Sequence, residues 1–366
     1  MAELLKLNDI ANDLVIRAAD GVHDHTSTVD EAVKAYSGGL SLETGSGSER
    51  MTKKAAGQLF KMVGLPVSVL GHFKDAPELQ IAMAQNKLEG LDTDARDRKI
   101  ICRGHLDGDG NGVLDTFLSD SYVPVSNAQM IMAMKEGFDG EGVDARVHQS
   151  QISDRQMSLR IVAPEWDHDL GGGDMAYTGL SLINSELGTR AVTVRASIAR
   201  VACFNYTLAD NDVFSHEHRF LTPEEILNGV VEGIRKLNGI AGEISDRLRG
   251  MRDVEIEDAK AMIGVMSNEM GLPNYVTNPA YQWWEDTGAV PNLFYVVQAI
   301  AFAAANFTSR KGFAWDRREM AETQSFRMAE HYQDTGKLQL CECPRCHRPM
   351  NSSADTIDAD YEVIEE

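Results

Sequence analysis

Between residues 98 and 205 the chain repeats one pattern: a short run rich in branched and aromatic side chains, a break, then another run. The runs are RKIICRGHL, VLDTFLSDSYVPV, ARVHQSQIS, RQMSLRIVAP, AYTGLSLINS and RAVTVRASIARVACFN. Such runs, bounded by Gly, Asp, Asn and Pro, mark strands joined by hairpins. One amphipathic segment interrupts them, SNAQMIMAMKEG, with Ser126 placed to cap a helix. Hairpins with helices between them predict an α+β fold built on an antiparallel sheet.

The pattern ends at Thr222. There TPEE puts Pro223 at a first helical position and pairs Thr222 with Glu225 in a capping box. Leu227, Val230, Ile234, Leu237, Ala241, Ile244 and Leu248 then recur at threes and fours. That seam packs either on the chain's own sheet or on a second subunit. Asn238-Gly239 is a place for the helix to stop, since an interior Gly costs about 1 kcal/mol relative to Ala. Beyond it the chain reads as mainly helical to residue 335. Its most apolar run, NLFYVVQAIAFAAANF, is shorter than the roughly 20 residues a membrane span needs and contains Gln298. It reads as a buried helix, and no membrane partner is expected.

Upstream of the strands, residues 1–36 read as one or two helices and SGGLSLETGSGSER as a flexible linker. No Gly-Lys-Ser/Thr follows those glycines, so they do not make a phosphate loop. MTKKAAGQLFKMVGLP has helical periodicity and stops at Gly64 and Pro66. The predicted organisation is N-terminal helices and linker over 1–48, the sheet domain over 49–221, a helical segment over 222–335, and a cysteine-bearing acidic tail over 336–366.

DGDGNGVLD (107–115) raises the question of calcium. Asp107, Asp109, Asn111 and Asp115 offer oxygens at loop-like spacing. A calcium loop of the helix–loop–helix kind needs a bidentate Glu at its twelfth position, which here is Leu118. The segment reads as an acidic hairpin tip, and calcium is not expected at Asp107–Asp115.

The formal net charge is −21, and six of those charges lie in the last twelve residues. Diffuse attraction to nucleic acid is thereby opposed, so any such role needs a local basic surface. LGTRAVTVRASIAR (187–200) carries Arg190, Arg195 and Arg200 and no acid. Arg146, Arg155 and Arg160 lie on neighbouring runs and extend a candidate phosphate stripe. At a spacing of five, successive arginines on a strand point to opposite faces, so at most two of the three share one surface. The competing reading pairs each of them with Asp or Glu.

Five cysteines suit a reducing cytoplasm better than a disulfide framework. Three of them, Cys341, Cys343 and Cys346, sit with His347 in LCECPRCHRPM, and Cys343 and Cys346 have zinc-knuckle spacing. The alternatives there are a zinc site and a redox-sensitive tail. The closing TIDADYEVIEE reads as a site for a protein partner or as a solvated end. HEHR (216–219), after Cys203 and Asn205, offers a base, a nucleophile and an orienting amide, the material of a hydrolase.

Four stretches carry a family resemblance: MTKKAAGQLFKMVGLP, LSDSYVPVSN, GLSLINSELGTRAVTVRASIARVACFN and VPNLFYVVQAIAFAAANF. In this order they resemble the phage- and plasmid-associated proteins classed as domain of unknown function 932. The matching motif positions are Asn184, Ser185, Gly188, Arg200, Cys203 and Asn205, with His216 and His218 near the family's downstream His. The resemblance implies the company of recombination and replication genes of phages and mobile elements. At the level of fold, the alternating hairpins and helices are similar to ring-forming single-strand annealing proteins. That likeness implies single-stranded DNA as partner and a homo-oligomer as the working form. The alternatives are an interaction protein without nucleic-acid affinity and a hydrolase.

Overall fold

The computed structural model describes residues 5–6, 23–44, 47–107, 109–152, 156–188, 190–202, 205–306 and 315–338. After β1 (Leu5–Lys6), the N-terminal half runs β2 (His23–Thr28), α1 (Val29–Ala35), β3 (Tyr36–Gly38), β4 (Ser41–Thr44), β5 (Gly47–Met51) and α2 (Lys53–Met62). Then come α3 (Ser68–His72), α4 (Pro77–Glu89), α5 (Thr93–Arg96), β6 (Lys99–Leu106) and β7 (Gly112–Ser119). Strands β2 to β7 form one sheet in the order β2-β6-β7-β5-β4-β3. Its pairs are antiparallel except β5 with β7, which run parallel through Arg50↔Val113 and Met51↔Leu114.

Two expectations for this region are corrected. His23–Thr28 is a strand, not helix, paired residue for residue with β6. The Gly/Ser segment after residue 36 is not a linker: it folds into β3, β4 and β5. Its composition hides the apolar Leu42, which with the flanking Tyr36 and Met51 is at most 2 % exposed. They join Val29, Val33, Leu59, Phe60, Ile100, Cys102 and Leu114 in one core. Gly38 and Gly39, both at positive φ, make the turn between β3 and β4.

The hairpin reading of 107–115 agrees with the structure. Asp107 Oδ1 accepts from the backbone N–H groups of Asp109 and Asn111, and Gly110 takes φ +80°. Leu118 lies within β7, opposite Ile101.

The second sheet follows α6 (Asn127–Gly140), which starts at the expected cap: Ser126 and Gln129 form a capping box. Strands β8 (Arg146–Ile152), β9 (Met157–Gly171), β10 (Asp174–Asn184), β11 (Val192–Arg200) and β12 (Tyr206–His216) then line up as β1-β8-β9-β10-β11-β12. Gly172 and Gly173, both at positive φ, close the β9–β10 hairpin in two residues. Residues 157–163 are buried without alternation, so both faces of this part of β9 are covered.

α7 (Pro223–Met251) begins at the Thr222–Glu225 capping box and continues through Asn238-Gly239. Its buried seam is Ile226, Val230, Ile234, Leu237, Ala241, Ile244 and Leu248, so the first position falls one residue before Leu227. The seam packs within the chain: a Cβ at Gly137 of α6 would lie 2.7 Å from Ile234, and one at Gly229 would overlap Phe214 of β12. Asn238 is held by Thr178 Oγ1 at 3.2 Å, a tertiary bond that offsets the weak helix propensity there.

The helical remainder is α8 (Ala259–Glu269), α9 (Asn274–Thr287), α10 (Leu293–Asn306) and α11 (Trp315–Thr335). α10 is the predicted buried helix: Phe294, Val296, Val297 and Ile300 are inaccessible. No helix among the described residues is long and apolar enough to cross a membrane.

The chain divides into two compact units. A sheet unit holds residues 1–168, 176–199 and 211–242, and a helical unit holds 169–175, 200–210 and 243–366. The divide therefore falls inside β9–β12 and α7 rather than at residue 222. Long hairpins send their far ends into the helical unit, which a boundary placed by change of periodicity does not register.

Candidate functional site

The arginine stripe expected along the second sheet is not assembled. Arg146 is bonded to Asp144 at 2.8 Å, Arg195 to Asp212 at 2.8 Å, and Arg200 to both oxygens of Asp174 at 2.9 and 2.8 Å. Arg160 is inaccessible to solvent, in the fully covered part of β9. Arg155 lies outside the described residues. In a chain with this excess of acids, a strand arginine finds a carboxylate within cross-strand reach, and a paired guanidinium does not offer its charge to a phosphate. Among the described ones, Arg190 is exposed, at a bend.

The turn just before it is where the structure concentrates polar contacts. Three successive carbonyls, Ser185, Glu186 and Leu187, each accept from a different side chain, on the loop before α6, on β6 and on α2. Tyr122 Oη donates to Ser185 O at 2.8 Å, Arg103 Nη1 to Glu186 O at 2.7 Å, and Lys54 Nζ to Leu187 O at 3.1 Å. Arg103 is itself held on β6 by Asp24 of the adjoining β2, through two bonds of 2.8 and 2.7 Å. Gly188 has φ +66°, and a Cβ there would come within 2.8 Å of Leu118 and 3.1 Å of Tyr122. Asn184 is buried and donates to Val125 O and Asn127 Oδ1 at 3.2 and 2.9 Å. The Glu186 carboxylate accepts from the Asn127 N–H.

His218 completes the cluster. It is 3 % exposed, and its ring stacks on Tyr122 with centroids 5.0 Å apart. The Val123 N–H donates to His218 O at 2.8 Å, and His218 Nδ1 donates to Val123 O at 3.0 Å. This leaves Nε2 as a buried acceptor with no hydrogen-bond partner among the described residues. Burial holds the imidazole below its ordinary range; the Val123 carbonyl pulls the other way, and Arg103 and His216 add to the depression. Burial also raises the Tyr122 phenol. His218 is therefore neutral, and Tyr122 keeps its proton.

The motif positions thus separate. Asn184, Ser185 and Gly188 meet His218 around Tyr122 in the sheet unit. Arg200 and Asn205 belong to the helical unit, where Arg200 binds Asp174 and Asn205 Nδ2 donates to Gln298 O at 3.1 Å. Burial raises the Asp174 carboxyl, but Arg200 and Arg252 outweigh it and hold the group below its usual range. Cys203 lies outside the described residues, the Asn205 amide is engaged, and His218 is a packed side chain rather than one of an exposed pair. Cys102, free and buried, is pushed up to about 12 by desolvation and the nearby Glu49 and Glu31, so it is no thiolate.

Immediately after His218 come two residues that sequence reasoning passed over. Arg219 is half exposed, 4.0 Å from Glu217. Phe220 is 88 % exposed and has φ +67°, the one non-glycine residue at positive φ among those described. The segment is bracketed by the His218–Val123 pairing on one side and the Thr222 cap on the other. The legible signal was its shortness: five residues join the end of β12 to a capping box at Thr222.

Cys341, Cys343, Cys346, His347 and the acidic tail lie outside the described residues. Among those described, no group of three His, Cys, Asp or Glu side chains is placed to hold a metal ion. The chain matches no family model, no curated protein and no solved structure.

Proposed function

We propose that this chain is a DNA-binding accessory of a phage or mobile element, acting in recombination or replication by binding rather than by chemical turnover, and working as an oligomer. The observation that carries the reading is the turn at 185–188. Lys54 reaches its Leu187 carbonyl, Arg190 is exposed beside it, and Arg219 follows the His218 that stacks on the same tyrosine, while Arg103, 7 % exposed and paired with Asp24, braces the Glu186 carbonyl. An acidic chain that binds phosphates needs cations gathered at one place on a rigid support. The family resemblance of Asn184, Ser185 and Gly188 falls on this turn and supports the same placement.

With so few cations, affinity is modest and salt-sensitive. Two or three phosphate contacts to a single strand give a log–log salt slope of about −1.4 to −2.1. Fluorescence anisotropy with a labelled oligonucleotide at low salt tests this. Arg190→Glu with Arg219→Glu is expected to abolish binding, whereas Arg195→Ala leaves the slope unchanged. Absence of binding by the unaltered protein at low salt rules the reading out.

The pairing of Arg146, Arg195 and Arg200 with acids favours a second reading, an interaction protein without nucleic-acid affinity. Under it the same titration is flat, and the oligomer forms regardless of added DNA.

A further inference from the structure

We propose that Phe220 is a base-stacking platform that makes the site selective for unpaired strands over duplex; this deepens the DNA-binding reading above and rests on it. Large apolar residues exposed singly are ordinary on protein surfaces, so exposure alone carries nothing. What distinguishes Phe220 is the combination of 88 % exposure with a backbone at φ +67°. A bulky residue at positive φ is strained and persists where its surroundings fix it. Here they do. Two residues upstream His218 is paired with Val123 through backbone and ring, and two residues downstream Thr222 is locked to Glu225. The Arg219 N–H also donates to Glu217 O at 2.6 Å. The anchors hold an aromatic ring out in solvent on a stiff base.

The surroundings choose between a base and a second protein surface. Ser215, Glu217, Arg219, Thr222, Glu224 and Glu225 are exposed and polar. A subunit contact wants a continuous apolar patch of roughly 800 Å² per partner. Phe220, flanked in sequence by the half-buried Leu221 and Pro223 and otherwise by polar residues, does not supply one, but its exposed ring suits a nucleobase, which needs one planar face and water at its edges. In a duplex both faces of each base are already stacked, so the ring has nothing to gain there. The carboxylates of Glu217, Glu224 and Glu225 repel phosphates, so the contribution of Phe220 is stacking rather than charge. Its removal should lower affinity at every salt concentration without changing the salt slope.

The test is equilibrium anisotropy with a labelled single strand and the matching duplex. The proteins are the full chain, Phe220→Ala, Phe220→Gly, Phe220→Leu and Phe220→Trp, with thermal melting to check folding. Glycine relieves the strained φ while removing the ring, so it keeps the test valid if alanine unsettles the turn. Phe220→Ala, Phe220→Gly and Phe220→Leu are expected to weaken single-strand binding by roughly 5- to 100-fold. The salt slope and duplex binding should stay unchanged, and Phe220→Trp should retain affinity. Equal losses for strand and duplex, or no loss in the glycine variant, overturn the stacking role while leaving DNA binding intact. If Phe220→Gly instead lowers the sedimentation mass, the ring is a subunit contact and the proposal falls. If the unaltered protein binds no DNA at all, the underlying reading fails first, and this one with it.

Discussion

The imidazole of His218 lies nearly parallel to the phenol ring of Tyr122, 23° between planes and 5.0 Å between centroids, while the Tyr122 hydroxyl reaches the other way to Ser185 O at 2.8 Å. One side chain thus joins the segment before α7 to the turn after β10. Tyr122→Phe keeps the stack and removes a 2.8 Å bond to the Ser185 carbonyl, which the Gly188 N–H also reaches at 3.3 Å. It should lower stability by about 1 kcal/mol. Tyr122→Ala also empties a buried volume under His218, and about 3–5 kcal/mol is expected. Urea unfolding of the two variants checks the ratio.

His218 makes stability depend on pH. Its folded-state pKa lies below the ordinary value of 6.5, because burial and Arg103 disfavour the imidazolium. The unfolded chain then binds the proton more readily than the folded one, so this group's contribution is complete above pH 6.5 and declines as pH falls through the folded-state value. His216, Arg103 with its partner Asp24, Glu186 and Tyr122 face the same region and set the background. His218→Phe preserves the stack and removes the titration. Its urea midpoint should be lower than that of the unaltered protein at pH 7.5, with the gap narrowing toward pH 5.5. A constant gap would mean that the group does not titrate in this window.

Much of the scaffold could be read from the residues because local signals agreed with tertiary packing. Ser126 with Gln129 and Thr222 with Glu225 fixed where α6 and α7 start, and turn glycines fixed the hairpins. Strands β6 and β7 of the N-terminal sheet were legible but β2 to β5 were not, since the few apolar residues in and beside a Gly/Ser-rich stretch carry no visible period. The site was still less so. Its contacts to Ser185, Glu186 and Leu187 span 63, 83 and 133 positions, and no local pattern announces that Tyr122, Arg103 and Lys54 will meet. Phe220 was hidden for another reason: positive φ in a non-glycine residue is imposed by its anchors and leaves no mark on composition.

Gly188 and Gly110 separate two effects of glycine. Both have positive φ, but a Cβ at Gly110 meets nothing within 4 Å, while one at Gly188 comes within 2.8 Å of Leu118. Gly110→Ala should cost about 1 kcal/mol, the backbone effect alone. Gly188→Ala adds overpacking against Leu118 and Tyr122 and should cost roughly 2–4 kcal/mol. Thermal melting of the pair checks it, and equal losses would mean that the turn moves aside freely.

The last prediction concerns Arg200, which carries both a motif position and a place in the expected phosphate stripe. Its guanidinium makes a two-bond contact with Asp174, and Arg252 shares the same carboxylate while lying 3.8 Å over the Phe294 ring. One acid therefore organises two cations and an aromatic in the helical unit. Asp174→Asn weakens both pairings at once and should cost roughly 1–3 kcal/mol, since the group is only partly buried. Because the folded-state pKa of Asp174 is depressed, its stabilisation is present above pH 3.8 and is lost as pH falls through the lowered value. Acid unfolding of Asp174→Asn should accordingly show a shallower decline below pH 4 than the unaltered protein. Arg200→Ala should destabilise to a similar extent yet leave the salt slope of DNA binding untouched, because a guanidinium already committed to a carboxylate releases no counterion on meeting a strand. A change in that slope would return Arg200 to the phosphate-binding surface and with it the stripe that the pairing argues against.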